Sequence, residues 1–178
     1  MDMKGFLICI LVIISFSCHC QDSVSQKKID GIDNLVKDIK ARKTLFEKSE
    51  SSYSIDSSFH EMDDFTKTIY YSDRECGKLL KVEYSILFLR DSLQTTTILY
   101  FKENKLIKTE DLVSTKKYHF QTDFYFENDK VVNEIFSEKQ QETALDYIDI
   151  SKELLKNYLL MCHKLNPNSN KQGQTKTN

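Results

Sequence analysis

Between Tyr70 and Phe136 the chain writes one phrase three times: Tyr70-Tyr71 followed by Gly77-Lys78-Leu79-Leu80-Lys81, Tyr100-Phe101 followed by Asn104-Lys105-Leu106-Ile107-Lys108, and Tyr125-Phe126 followed by Asp129-Lys130-Val131-Val132-Asn133. Each copy reads as a strand ending in two aromatics, a polar turn, and a strand opening on Lys and two aliphatics. Gly77, Asn104, Asn128 and Asp129 are residue types that accept positive φ, so each copy is expected to be a β-hairpin.

The surrounding stretches extend the pattern. Phe65, Ile69 and Tyr71 alternate with Thr66, Thr68 and Tyr70, and Leu80 to Phe88 alternates with Lys81, Glu83 and Ser85. Tyr118, Phe120, Phe124 and Phe126 alternate with His119, Gln121, Asp123 and Tyr125. A period of two predicts antiparallel strands with one wet face. Before them, Ile29, Ile32, Leu35, Val36, Ile39 and Phe46 fall at helical spacing, with Lys37, Asp38, Lys40 and Arg42 as a solvated opposite face. The Ser-rich run from Ser49 to Ser58 lacks a period and is expected to be a loop.

After the last hairpin, Ser137 and Gln140 have the spacing of a capping box. Leu145, Ile148, Leu155, Leu159 and Cys162 form the stripe of a second helix, widened by Tyr147, Leu154, Tyr158 and Met161, and Pro167 ends it. The expected fold is α+β: a six-stranded antiparallel meander with an N-terminal and a C-terminal helix packed on one face. One domain over residues 29–165 follows, with a tether at 21–28 and a disordered tail at 166–178. The 178 residues suit a single core, at 40% hydrophobic and 29% charged composition. A net charge of −2 gives no electrostatic reason to expect nucleic acid.

Residues 1–20 read as a secretory signal. Lys4 precedes an apolar run from Phe6 to Phe16, too short to span a bilayer, which takes about 20 residues. Ser15 and Ser17 stand at −3 and −1 from Cys18, so Cys18, with Cys20 as second choice, is a candidate for cleavage and lipid attachment. Export to the periplasm or an outer-membrane-anchored envelope site is expected, with the membrane touched only through that lipid; a plain, unlipidated signal peptide is the alternative. Cys76 and Cys162 then remain in the folded part. One pair is no disulfide framework, and two unpaired thiols is the reading favoured over a bridge.

Chemistry is scarce. His119 and Asp123 stand about 13 Å apart along one strand, too far for a dyad. His60 with Glu61, Asp63 and Asp64 reads as a solvated acidic turn, with a weak cation site as the alternative. No phosphate loop, nucleophile elbow or metalloprotease helix is present. No catalytic, cofactor-binding or metal-ligating residue is assigned, and no cofactor is expected. The chain is read as a non-enzyme.

The repeated phrase, Tyr-(Tyr/Phe)-x-x-(Asn/Asp)-x-Lys-(Leu/Val)-(Ile/Leu/Val), resembles the hairpin repeats of uncharacterised exported proteins and lipoproteins of the Bacteroidota. It is more distantly similar to the MORN-type repeats of YwqK-like antitoxin proteins, although only Gly77 stands where those repeats carry glycine. The resemblance covers residues 29–136 and implies hairpins and export; it carries over no activity. The expected function is a binding module for an envelope protein or ligand. An inhibitor or immunity-type protein is the alternative, and an enzyme or enzyme accessory with a dispersed site is a further one. Tyr70, Tyr100 and Tyr125 are the partner-binding candidates, expected as a stripe on the sheet face away from the helices.

Overall fold

The three hairpins of the repeat share one construction. In a computed structural model, which describes residues 24–56, 61–89, 93–115, 118–132 and 138–165, the second and third turns are two-residue turns with both φ angles positive. These angles are 53° and 63° at Glu103 and Asn104, and 51° and 60° at Asn128 and Asp129. That is the type I′ geometry, whose twist matches that of the strands it joins. The first turn is longer. Its left-handed residue is Cys76, at φ 50°, and not Gly77, whose φ is not positive.

The strands are β1 (Phe46–Asp56), β2 (Glu61–Ser72), β3 (Leu79–Phe88), β4 (Leu93–Lys102), β5 (Lys105–Ser114), β6 (His119–Glu127) and β7 (Lys130–Val131). They make one antiparallel meander in sequence order. Among the described residues the sheet therefore has seven strands, against the six expected. The added one is β1, which takes up most of the stretch read as a Ser-rich loop. Its serines carry little apolar period, but pairing with β2 from Phe46–Ser72 to Asp56–Glu61 satisfies the backbone of both strands. Phe46 accordingly opens this strand and does not close the first helix.

Helix α1 covers residues 24–41, beginning inside the segment expected to be a tether. Helix α2 is Glu138–Leu165. Ser137 and the amino-terminal segment with Cys18 and Cys20 lie outside the described residues, as do His60 and the tail after residue 165.

The two helices do not share a face. Ile32, Val36 and Ile39 of α1 pack with Tyr100 and Ile107, against Leu80, Ile98, Tyr125 and Val132. Ala144, Tyr147, Ile148, Leu154 and Tyr158 of α2 pack with Tyr70, Leu79, Val82, Leu99, Phe101, Leu106, Phe124 and Phe126. Leu99 and Phe101 thus face α2 while Ile98 and Tyr100 face α1, which is the alternation of one strand between two opposite layers. The expectation of both helices on one face is corrected on this ground. It assumed that one sheet face stays wet, whereas each is covered over part of its area.

The repeat feeds both layers by a shared device. Pairing slips by one residue between Tyr71 and Ser72, so that Tyr71 faces Lys81, Ser72 faces Leu79, and Leu80 has no partner. The same slip places Tyr100 opposite Lys108 and Phe101 opposite Leu106, leaving Ile107 out. Each is a β-bulge, and it turns two neighbouring side chains to one side. Leu80 with Lys81, and Ile107 with Lys108, thus share the α1 side; in all three hairpins the aliphatic pair is split, Leu79, Leu106 and Val131 entering the α2 layer and Leu80, Ile107 and Val132 the α1 layer. Burying a large aliphatic or aromatic side chain contributes about 1.5–3 kcal/mol, so the aliphatic pair of each hairpin fastens it on both sides.

Candidate functional site

The pairings line up side chains in rows across the α1 side of the sheet. One row reads Glu47, Tyr71, Lys81, Tyr100, Lys108, Tyr125 from β1 to β6. The next reads Ser49, Ile69, Glu83, Ile98, Glu110, Asp123. Tyrosines and lysines alternate in the first row, and three acids stand behind the cations.

The middle of this arrangement is closed by α1. Lys108, its side chain 7% exposed, meets Asp123 at 2.9 Å, Asp33 of α1 at 3.0 Å and Glu110 at 3.5 Å. Burial works against its charge, but hydrogen bonds to Asp123, Asp33 and Tyr125 outweigh that and hold its pKa above the ordinary lysine value. Lys40 of α1 reaches Glu110 at 2.8 Å, and Tyr100 donates to the same carboxylate at 2.9 Å. Tyr125 donates to Asp33 at 3.2 Å. Every group in this cluster is spent on a neighbour. Its evident role is to fasten α1 to the sheet.

The tyrosines expected as an exposed stripe are distributed otherwise. Tyr70 is 0% exposed and lies under α2, stacked on Tyr158 with ring centroids 5.9 Å apart and donating to Glu50 at 2.6 Å. Tyr100 is 1% exposed beneath α1, and Tyr125 is half-buried beside Asp33. The stripe does not form. In the first hairpin the longer turn moves the bulged pair on to Tyr71-Ser72, so that Tyr71, not Tyr70, is the structural counterpart of Tyr100 and Tyr125.

Tyr71 is the member of the row that α1 leaves uncovered. Lys81 Nζ sits 3.9 Å from its ring centroid, its hydroxyl donates to Glu83 at 3.1 Å, and Lys81 and Glu83 pair at 2.7 Å. Burial and the Glu83 carboxylate push the Tyr71 hydroxyl up to about 12, so it stays a neutral donor. Three rows away, Tyr53 and Phe65 are paired with centroids 5.2 Å apart, and Tyr53 is 60% exposed. With Ile69, Leu87 and Lys67 these residues make an open sheet surface over β1–β3, and no described helix packs on it. The sequence signal for Tyr71 was its partnership with a lysine after the turn, hidden by the length of that turn. Tyr53 had none, because it sits among serines.

Other features lie elsewhere. A groove of about 510 Å³ between α1 and the β4–β5 and β6–β7 turns is lined by Lys28, Ile32, Lys102, Glu103 and Asn128. A shallower one of about 420 Å³ on the outer side of α2 is lined by Leu155, Leu159 and Leu160 with Lys152, Lys156 and His163. Leu145 and Leu159, expected in the buried stripe of α2, are exposed, because Tyr147, Leu154 and Tyr158 turn the helix toward the sheet. Cys76 and Cys162, read as independent thiols, converge on Lys48 of β1, whose Nζ lies 2.9 Å from one sulfur and 3.7 Å from the other.

Among the described residues, no group of three or more His, Cys, Asp or Glu is placed to hold a metal ion, and no helix is long and apolar enough to cross a membrane. No family model matches the chain, and neither a curated protein nor a solved structure matches it.

Proposed function

We propose that the chain is exported to the cell envelope and acts there as a non-catalytic binding module, taking a protein partner on the open sheet surface of β1–β3. The observation that carries the reading is the uncovered aromatic and charged set Tyr53, Phe65, Tyr71, Lys81 and Glu83 on a rigid sheet. Tyrosine offers large contact area with little side-chain entropy to lose, and the Lys81–Glu83 pair pre-orders the polar contacts. The side chains of the neighbouring Lys108 cluster are all engaged with one another, which supports binding over chemistry. Support for export comes from the apolar run Phe6–Phe16 and the serines before Cys18.

The test changes Tyr53, Phe65 and Tyr71 to Ser together and recovers partners from envelope extract. Aromatic hot spots cost about 2 kcal/mol or more each when truncated, so the folded variant should lose its partner. A control carrying Tyr118→Ser and Phe120→Ser, exposed residues of the opposite face, should keep it. Recovery of every partner by the folded triple variant removes this surface from the account. Export is checked separately by mass spectrometry of the native amino terminus, where an intact Met1 would refute it.

A further inference from the structure

The convergence of Cys76, Lys48 and Cys162 has no part in holding a binding surface. Cys76 comes from the first turn, Lys48 from the edge strand and Cys162 from the last turns of α2. Two contacts fix the approach. Tyr158, one helical turn before Cys162, donates to the carbonyl of Gly77, next to Cys76, at 3.0 Å. The Tyr158 ring in turn stacks on Tyr70, which pairs with Lys48 across β1 and β2. Lys48 Nζ reaches both sulfurs, and both thiols remain partly exposed.

The turn also bears a local cost at this point. Left-handed backbone is unfavourable for a residue with a side chain, and Gly77 stands next door without taking that conformation. Gly77 is needed for another reason: a Cβ there would come within 2.0 Å of Asp73 Oδ1 and 2.4 Å of Arg74 Cγ. The turn is thereby wound so that a cysteine, held at positive φ, faces the end of α2.

We infer that Cys76 and Cys162 are a thiol–disulfide pair, closed into a covalent link by exchange with a disulfide donor, with the Lys48 ammonium assisting both sulfurs. Cys76 gives its proton to water and attacks one sulfur of the donor, forming a mixed disulfide while the first donor thiolate leaves with the electron pair and takes up a proton. Cys162 gives its proton to water and attacks the Cys76 sulfur, and the second donor thiolate leaves. Two protein thiols are oxidised to one disulfide, and one donor disulfide is reduced to two thiols. An ammonium beside both sulfurs stabilises negative charge as it passes between them. Burial first, and then the hydrogen bond to Cys76, push the Cys162 thiol up, which suits the resolving position. The closed form joins the β2–β3 turn to the end of α2.

The chemistry does not depend on the partner surface, and its test is separate. The full-length protein is equilibrated across ratios of glutathione to glutathione disulfide, alkylated, and analysed by intact mass and peptide mapping. A single two-electron transition should appear, yielding linked peptides that contain Cys76 and Cys162. The closed form should melt roughly 5–10 °C higher than the open one. Cys76→Ser and Cys162→Ser should each abolish the link. Lys48→Met should slow closure roughly tenfold, the worth of one charge-assisted hydrogen bond, and Lys48→Arg should restore much of the rate. Glutathione adducts on the two cysteines without a linked peptide would overturn the pairing. An unchanged closure rate in folded Lys48→Met would overturn the role of the lysine.

Discussion

Asp33 of α1 and Lys108 of β5 meet at 3.0 Å, joining a helix that opens the domain to the middle of its sheet. Lys108 is the buried member, and it also holds Asp123 and Glu110. Removing it leaves acids facing one another in a partly dehydrated layer. Lys108→Ala should therefore cost about 3 kcal/mol. Lys40→Ala, which removes an ammonium whose side chain is half exposed, should cost within about 1 kcal/mol. Denaturant unfolding of both variants measures the difference.

Thr109 stands between Leu99 and Phe124 on the α2 side, fully buried, and its hydroxyl has no hydrogen-bond partner among the described residues. A dehydrated, unpaired hydroxyl is a penalty that a methyl group of similar shape removes. Thr109→Val should stabilise the fold by about 1 kcal/mol. A rise in the denaturation midpoint with unchanged slope would confirm it.

Glu103 takes the first left-handed position of the β4–β5 turn at φ 53°. Asparagine accepts that region at lower cost, so Glu103→Asn should add about 0.5–1 kcal/mol. Thermal melting reads the gain. A loss would mean that the Glu103 side chain serves the groove beside α1.

Alkaline pH should unfold the protein through its tyrosines. Burial, with Glu50, Glu110 and Asp111 as neighbours, holds Tyr70, Tyr100 and Tyr147 above the ordinary tyrosine value. Tyr71 and Tyr158 are raised to about 12, in both cases mainly by burial. The fold thus favours the neutral hydroxyl, and the unfolded chain ionises first, near pH 10. This contribution is complete below about pH 10 and is lost as pH rises from there through the folded values. Ultraviolet titration should show tyrosinate appearing later in the folded protein than in denaturant, while the denaturation midpoint falls over the same range.

The hairpins were legible in the sequence because three local signals agreed: turn residues, alternation, and the Lys-aliphatic opening of each second strand. β1 was not, since a serine strand earns its place by pairing with β2 and leaves no apolar period to read. The tyrosine surface failed for a different reason. Adjacent aromatics fix no phase by themselves, and the longer first turn, which carries β2 on to Ser72, is enough to exchange Tyr70 for Tyr71. With helices on both faces, alternation reports two layers and not a dry and a wet side, so Tyr70 and Tyr100 could be buried on opposite faces. The approach of Cys76 to Cys162 joins a turn to a helix end, and no spacing along the chain records it.

Helix α2 sits beside Phe124 of β6 at Tyr147 and beside Lys48 of β1 at Cys162. Fifteen helical steps carry it about 23 Å. Five gaps between neighbouring strands span about 24 Å. The helix is in effect a ruler laid across the sheet, advancing about three residues for each strand it crosses. Sheet width and helix length are therefore coupled dimensions. A further hairpin inserted into the meander would need about two more turns of α2 to reach the edge strand again, and a hairpin removed would push the far end of the helix, with Cys162, out past β1 into water.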